Sequence, residues 1–235
     1  MKKFYLALLA MAAALAIAPA RSAWATDIPV ANADFTILPA SGLNQANDGI
    51  DYTGLPLIEA IPDWGTSVGA SGNTPPGGGY GQWAPLSNSF SGFNGTQVVG
   101  YTNDPTLYQT VGTVLAGDTY TLTVEIGNRA DQDSFGGGAD LLVNGVAYDA
   151  TGTSPAAGYF SLYTASFVGT SLNAGDPITI ELTDTGAPNS EASFYGVALS
   201  QSPEPGSLLL LGTGMLGLAF VAFRKAKSSG QTLSS

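Results

Sequence analysis

The sequence predicts an all-β protein: an antiparallel β-sandwich body, a signal peptide before it and a single transmembrane helix after it. Three observations predict this. Apolar and polar residues alternate with period two along several segments. An Asn-Gly pair separates two apolar runs. Near the carboxyl end a charge-free run stops at a basic cluster.

The strands follow from the alternation. Tyr120, Leu122, Val124 and Ile126 share one face, and Thr119, Thr121, Thr123 and Glu125 share the other. Ile178, Ile180 and Leu182 alternate with Thr179, Glu181 and Thr183 in the same way. Such patterns fit strands buried on one side of an antiparallel sheet. Asn144-Gly145 between Leu141–Val143 and Val146–Tyr148 predicts a tight hairpin, because both turn residues tolerate positive φ. Further strands are expected at Val30–Ile37, Thr96–Thr102, Thr106–Val111, Phe160–Val168 and Ala192–Leu199, separated by Gly, Pro, Asn and Asp turns. Residues 38–95 are rich in Gly, Pro, Asn and Ser and predict a long loop-rich region with one or two short strands. No segment of the body shows sustained helical periodicity.

The ends are addresses. Lys2 and Lys3, the apolar Phe4–Ala18 and the A-x-A site Ala23-Trp24-Ala25 form a secretory signal peptide over residues 1–25, cut after Ala25. Ser207 to Phe223 lacks charge and precedes Arg224, Lys225 and Lys227. As a helix this run spans about 26 Å, enough to cross a hydrocarbon core with some thinning. The basic cluster should remain cytoplasmic, leaving the body on the far side. Gly212 to Gly217 matches GxGxxG, but no strand precedes it and no βαβ unit surrounds it.

Pro203-Glu204-Pro205, the Leu/Gly-rich run and the basic residues together resemble the PEP-CTERM sorting signal of Gram-negative bacteria, over residues 203–235. The resemblance implies an exosortase-type partner that cuts near Pro203–Pro205, export through the Sec translocon, an inner-membrane intermediate and release to the cell surface or extracellular matrix. It also implies an exopolysaccharide and biofilm setting. The body, residues 26–202, is similar to galactose-binding-like and carbohydrate-binding-module jelly rolls. The residues that carry this are Asn32–Phe35, Gln109–Val111 with Leu115–Leu122, and Phe194–Leu199. Many such proteins hold a structural Ca²⁺ with an acidic residue of the closing strand; here Tyr195 occupies that place.

Charge separates body from ends. The chain has 7 basic and 18 acidic residues; within 26–202 only Arg129 is basic, and only Glu204 among the acids lies outside. The body therefore carries −16. Such a surface repels phosphate backbones, so nucleic acid is excluded as a partner. The chain has no Cys and no His, and the body has no Lys. Cys nucleophiles, His triads, typical zinc sites and Schiff-base chemistry are thereby excluded. Oxygen ligands suit a hard cation such as calcium, and no other cofactor is expected.

The candidate residues are few. Trp64, Tyr80, Trp83, Phe90 and Phe93 crowd the loop-rich region, where aromatic faces could stack on sugar rings or cap the core beneath the loops. Asp131 and Asp133, in an acidic glycine-rich loop, could ligate calcium with backbone carbonyls or stand in solvent. Arg129 is placed to pair with Glu125, Asp131 or Asp133, or to clamp a sugar hydroxyl or carboxylate. No acidic pair sits in a recognisable hydrolase motif. The expectation is therefore a non-enzymatic protein associated with extracellular polysaccharide, the alternatives being a structural matrix protein without a glycan site and, least favoured, a glycoside-active enzyme.

Overall fold

The computed structural model describes residues 25–40, 42–45, 51–53, 61–67, 79–103, 106–131, 135–184, 190–203 and 212–220. Contacts divide the chain into one unit at Thr26–Ser202 and another made of Met1–Ala25 with Pro203–Ser235.

The body's strands are β1 (Thr26–Ile28), β2 (Leu43–Gln45), β3 (Asp51–Thr53), β4 (Gly65–Thr66), β5 (Gly79–Ala84), β6 (Val99–Asn103) and β7 (Leu107–Thr113). They continue as β8 (Asp118–Asn128), β9 (Gly137–Val143), β10 (Val146–Asp149), β11 (Thr151–Gly152), β12 (Tyr159–Val168), β13 (Pro177–Asp184) and β14 (Ala192–Pro203). Two antiparallel sheets result. One runs β11-β12-β8-β14-β6-β5-β3-β2, with β1 on β14; the other runs β10-β9-β13-β7-β4.

The alternation on β8 does what period two requires. Tyr120, Leu122, Val124 and Ile126 are fully buried and meet Leu141, Ile178, Ile180 and Leu182 of the facing sheet in one core. Each such side chain contributes about 1.5–3 kcal/mol by leaving water. Asn144 and Gly145 have φ of 49° and 78°, so the hairpin turn is of the kind that matches strand twist. On β14, Ala192 and Phe194 face this core, and then Val197 and Leu199 do. The phase changes around Gly196, whose φ is +60°, as expected of a bulge.

Val30–Ile37 is not a strand. Residues 31–34 form a turn, and Asn32 and Phe35 take φ of 47° and 56°. Side-chain amides hold this segment. Asn32 Nδ2 donates to the carbonyls of Ile37 and Pro62 at 3.1 and 3.0 Å, and its Oδ1 accepts from Ile37 N at 2.9 Å. Gln82 Nε2 donates to the carbonyls of Phe35 and Ile37 at 2.6 and 2.8 Å. Gly100 is required beneath it, because a Cβ there would lie 2.5 Å from the Phe35 ring.

The loop-rich region carries more structure than expected: β2, β3, β4 and β5, the last buried along its whole length. Tyr80 joins the core between the sheets, whereas Trp83, three residues on, points to the opposite side. There the segment 85–98 folds over the sheet. Trp83, Phe90, Val99 and Tyr101 form a second apolar cluster with Leu86, Phe93 and Phe160.

In the other unit, residues 212–220 are helical. Among the described residues no helix is long and apolar enough to cross a membrane; of the expected span over 207–223, residues 207–211 and 221–223 lie outside the described residues.

Candidate active site

The site lies where β8 ends. Ala130 N donates to Ser89 O at 3.0 Å, Ser91 N to Gly158 O at 2.8 Å, and Gly158 N to Asn128 O at 2.7 Å. These bonds tie the overlying segment 85–98, the end of β8 and the approach to β12 into one frame. Arg129, the first residue past β8, is thereby turned inward and is only 5% exposed.

Its guanidinium is shared. Nε and Nη2 donate to the two carboxylate oxygens of Asp131 at 3.0 and 2.8 Å, a fork-to-fork pair. Nη1 donates to Glu191 Oε1 at 2.8 Å. The guanidinium carbon lies 4.2 Å from the centroid of the Trp83 ring. Ser89 Oγ donates to Asp131 Oδ2 at 3.1 Å. Beside Glu191, Ser190 Oγ lies 2.8 Å from both carboxylate oxygens of Asp184. The aromatic wall continues through Phe90, whose ring centroid is 4.4 Å from that of Phe160.

One cation therefore serves two carboxyl groups, and their surroundings push them apart. The Arg129 hydrogen bonds hold Asp131 below the usual aspartate range, against partial burial. Burial pushes Glu191 up, and its single bond from Arg129 only partly opposes this. Asp131 takes two hydrogen bonds from the guanidinium and Glu191 one, and with both acids ionised the triad would carry one surplus negative charge. Of the two, Glu191 is the carboxyl whose surroundings favour the neutral form, and Asp131 the one whose surroundings favour the charged form.

The expected site residues scatter. Arg129 and Asp131 come together with Trp83. Trp64 lies in the main core, stacked on Phe35 at 5.4 Å, and its Nε1 donates to Asn32 O at 3.3 Å. Tyr80 is in that core too. Trp64, Tyr80 and Trp83 are at most 4% exposed, so none offers an open face to a sugar ring. Asp133 and the processing residues Glu204, Pro205, Arg224, Lys225 and Lys227 lie outside the described residues; Ala25 is exposed and Pro203 ends β14. Among the described residues no group of three or more metal-ligating side chains is assembled, and both oxygens of Asp131 are engaged by Arg129. Glu191 and Ser89 were not anticipated: Glu191 is 62 residues from Arg129, and only the sheet brings them together.

An antiparallel two-sheet sandwich with a buried acid–base cluster at one end defines the class. Residues 26–200 match the HpiC1-like family model, described as HpiC1 cyclase, and the chain belongs to that family. Residues 203–225 match the PEP-CTERM protein-sorting motif, which implies export and surface sorting in bacteria.

Among solved structures, the Stig cyclase Fisc from Fischerella sp. TAU, in complex with (3Z)-3-(1-methyl-2-pyrrolidinylidene)-3H-indole, shares 23% identity at a TM-score of 0.59. The match covers 77% of this chain and 100% of that one. An apo cyclase from Fischerella sp. shares 23% at a TM-score of 0.61, over 78% and 100%. The CBM22-2 xylan-binding domain of Paenibacillus barcinonensis Xyn10C shares 9% at 0.36, over 61% and 93%, too distant to carry an argument. No curated protein matches the chain.

The expectation of a non-enzymatic protein is therefore corrected: the family and the fold are those of cyclases. It rested on the missing His, Cys and body Lys and on the lack of an acidic pair in a recognisable hydrolase motif. Those absences exclude particular nucleophiles and metal sites, but not proton transfer by carboxyl groups.

Proposed function

We propose that this chain is an exported cyclase-type catalyst that closes a ring on an apolar, nitrogen-containing aromatic substrate by proton transfer. The observation that carries this is the pair of carboxyl groups divided by Arg129, with Glu191 pushed up and Asp131 held down. Two titrating groups driven apart in one cluster make an acid and a permanent anion.

Glu191 gives its proton to the substrate, and its new charge is met by Arg129. The cation formed on the substrate is stabilised by ionised Asp131 and by aromatic faces. When the ring closes, the proton lost from the ring carbon returns to Glu191, so the product is an isomer of the substrate. Asp131 is the exposed member, in the turn after β8.

The substrate class rests on family membership and on the indole ligands of the related cyclases, which include 4-(1H-indol-3-yl)butan-2-one. The test is incubation of the purified body with 3-alkenylindoles, followed by chromatography with mass detection. The expected product has unchanged mass and altered retention, and Glu191→Gln slows its formation by about 10²–10⁴-fold. Absence of both indole binding by calorimetry and any isomer would count against the proposal.

The route is Sec export followed by exosortase-type cleavage near Pro203–Pro205. Association with extracellular polysaccharide is supported by export and surface sorting alone. Its expected platform, Trp64, Tyr80 and Trp83, is closed, and Arg129 is engaged by Asp131 and Glu191. A pull-down with the producer's own polysaccharide tests it.

A further inference from the structure

The end of the sandwich opposite Arg129 has an unusual surface. Three connections meet there: Val114–Asp118 between β7 and β8, Val168–Asp176 between β12 and β13, and Asn144–Val146 at the β9–β10 turn. Backbone hydrogen bonds link them to one another and to β13. Gly117 N donates to Gly169 O and Gly169 N to Asp118 O, both at 2.8 Å. Val114 N donates to Asp176 O at 2.9 Å, Gly175 N to Val114 O at 2.8 Å, and Asn144 N to Pro177 O at 3.2 Å. Leu115 N donates to Tyr120 Oη at 2.7 Å. The loops thus form one cross-braced tip.

This tip holds aliphatic side chains out in water. Leu172 is 96% exposed, and Leu115, Val146 and Val168 are exposed as well. Residues 114–117, 144–146 and 168–175 carry no charge, in a body with 17 carboxylates and one cation. Three acids flank the tip: Asp118 is buried, Asp176 is half-buried and Asp27 on β1 is exposed.

The chain leaves the body at this same end. Gln201 Nε2 donates to Asp118 Oδ2, and Thr26 pairs with Gln201. Only Pro203–Gly206 separates Ser202 from the apolar run at Ser207. Four residues reach at most about 14 Å. This end of the body is therefore the one joined to the apolar run by a short stretch of chain.

We infer that this tip is a membrane-facing surface: Leu115, Val146, Val168 and Leu172 seat the body on the lipid interface before the tail is removed. Exposed aliphatics gain by leaving water there, and a tip with few charges meets less of the repulsion that the acidic body would meet at an anionic leaflet. The eleven-residue β8 then places Arg129 and Glu191 about 33 Å away, at the end that faces outward. The inference rests on the reading that the apolar run inserts in the membrane.

The test uses the full chain in phosphatidylethanolamine/phosphatidylglycerol vesicles without a sorting enzyme. The chain has no Cys, so Leu172→Cys, Leu115→Cys, Ser154→Cys and Leu216→Cys each carry one environment-sensitive fluorophore. Ser154 is exposed near the opposite end and Leu216 lies in the tail helix. Brominated lipid is expected to quench the labels at 216, 172 and 115 and to leave the label at 154 unquenched. Quenching at 216 without quenching at 172 and 115 would overturn the inference while sparing tail insertion. Equal quenching at 154 and 172 would also overturn it. No quenching at 216 would remove tail insertion and the inference with it.

Discussion

Arg129 lies with its guanidinium carbon 4.2 Å from the Trp83 ring centroid, behind the carboxylates of Asp131 and Glu191. The body's one cation thus closes an aromatic cluster on one side and two acids on the other. Removing it takes the counter-charge from ionised Asp131 and the hydrogen-bond donor from buried Glu191. Arg129→Ala is expected to cost about 3–5 kcal/mol in urea unfolding at neutral pH. Arg129→Lys, which keeps the charge but not the fork, should fall between. The deficit of the Ala variant should narrow as pH falls and Asp131 takes up its proton; a deficit under about 1 kcal/mol at neutral pH would contradict the role assigned to Arg129.

Gln82 reaches across the chain to the carbonyls of Phe35 and Ile37 and holds a turn whose backbone enters the left-handed region. Gln82→Leu keeps bulk and removes both donors. Leaving the Phe35 carbonyl without this donor, and that of Ile37 with Asn32 Nδ2, should cost about 1–3 kcal/mol, measured as a drop in unfolding midpoint. A change within about 0.5 kcal/mol, the range of an ordinary surface substitution, would mean that the turn holds itself.

Asp140 stands directly opposite Asp149 on β10 and Glu181 on β13, three carboxyl groups in one row across adjacent strands. Burial, and then the charge of Asp149, push Asp140 up. A raised folded value means that its support of the fold is complete below the unfolded value of 3.8 and is lost as pH rises through the folded value. Asp140→Asn should therefore melt about 1–2 °C higher at pH 7, from relief of roughly 0.5 kcal/mol, and match the parent near pH 3. A lower melting point at pH 7 would contradict this.

The elements legible in the sequence were those governed by neighbours along the chain. Period two on β8 and β13 and the Asn144-Gly145 turn are local facts, and the sheets use them unchanged. The expected strand at Val30–Ile37 failed because Asn32 and Phe35 adopt positive φ, held by Gln82 from 47 residues away. Trp83 suggested a surface platform because it sits among Gly, Pro and Asn. The segment 85–98 folds back over that face of the sheet and buries it. Arg129 stood out as the body's single cation and its pairing with Asp131 is local, whereas Glu191 was one acid among 17 until β14 brought it in.

The division of protons between Glu191 and Asp131 is most directly measured by carbon-13 NMR titration of labelled carboxyl groups, assigned with Glu191→Gln and Asp131→Asn. Asp131, held down by Arg129, supports the fold above 3.8 and loses that support as pH falls through its lowered value. Glu191 behaves oppositely: its support is complete below 4.5 and is lost as pH rises through its raised value. The expected result is two separate titrations, Asp131 below 3.8 and Glu191 above 4.5. Glu191 ionising at or below 4.5 would contradict its assignment as the proton donor.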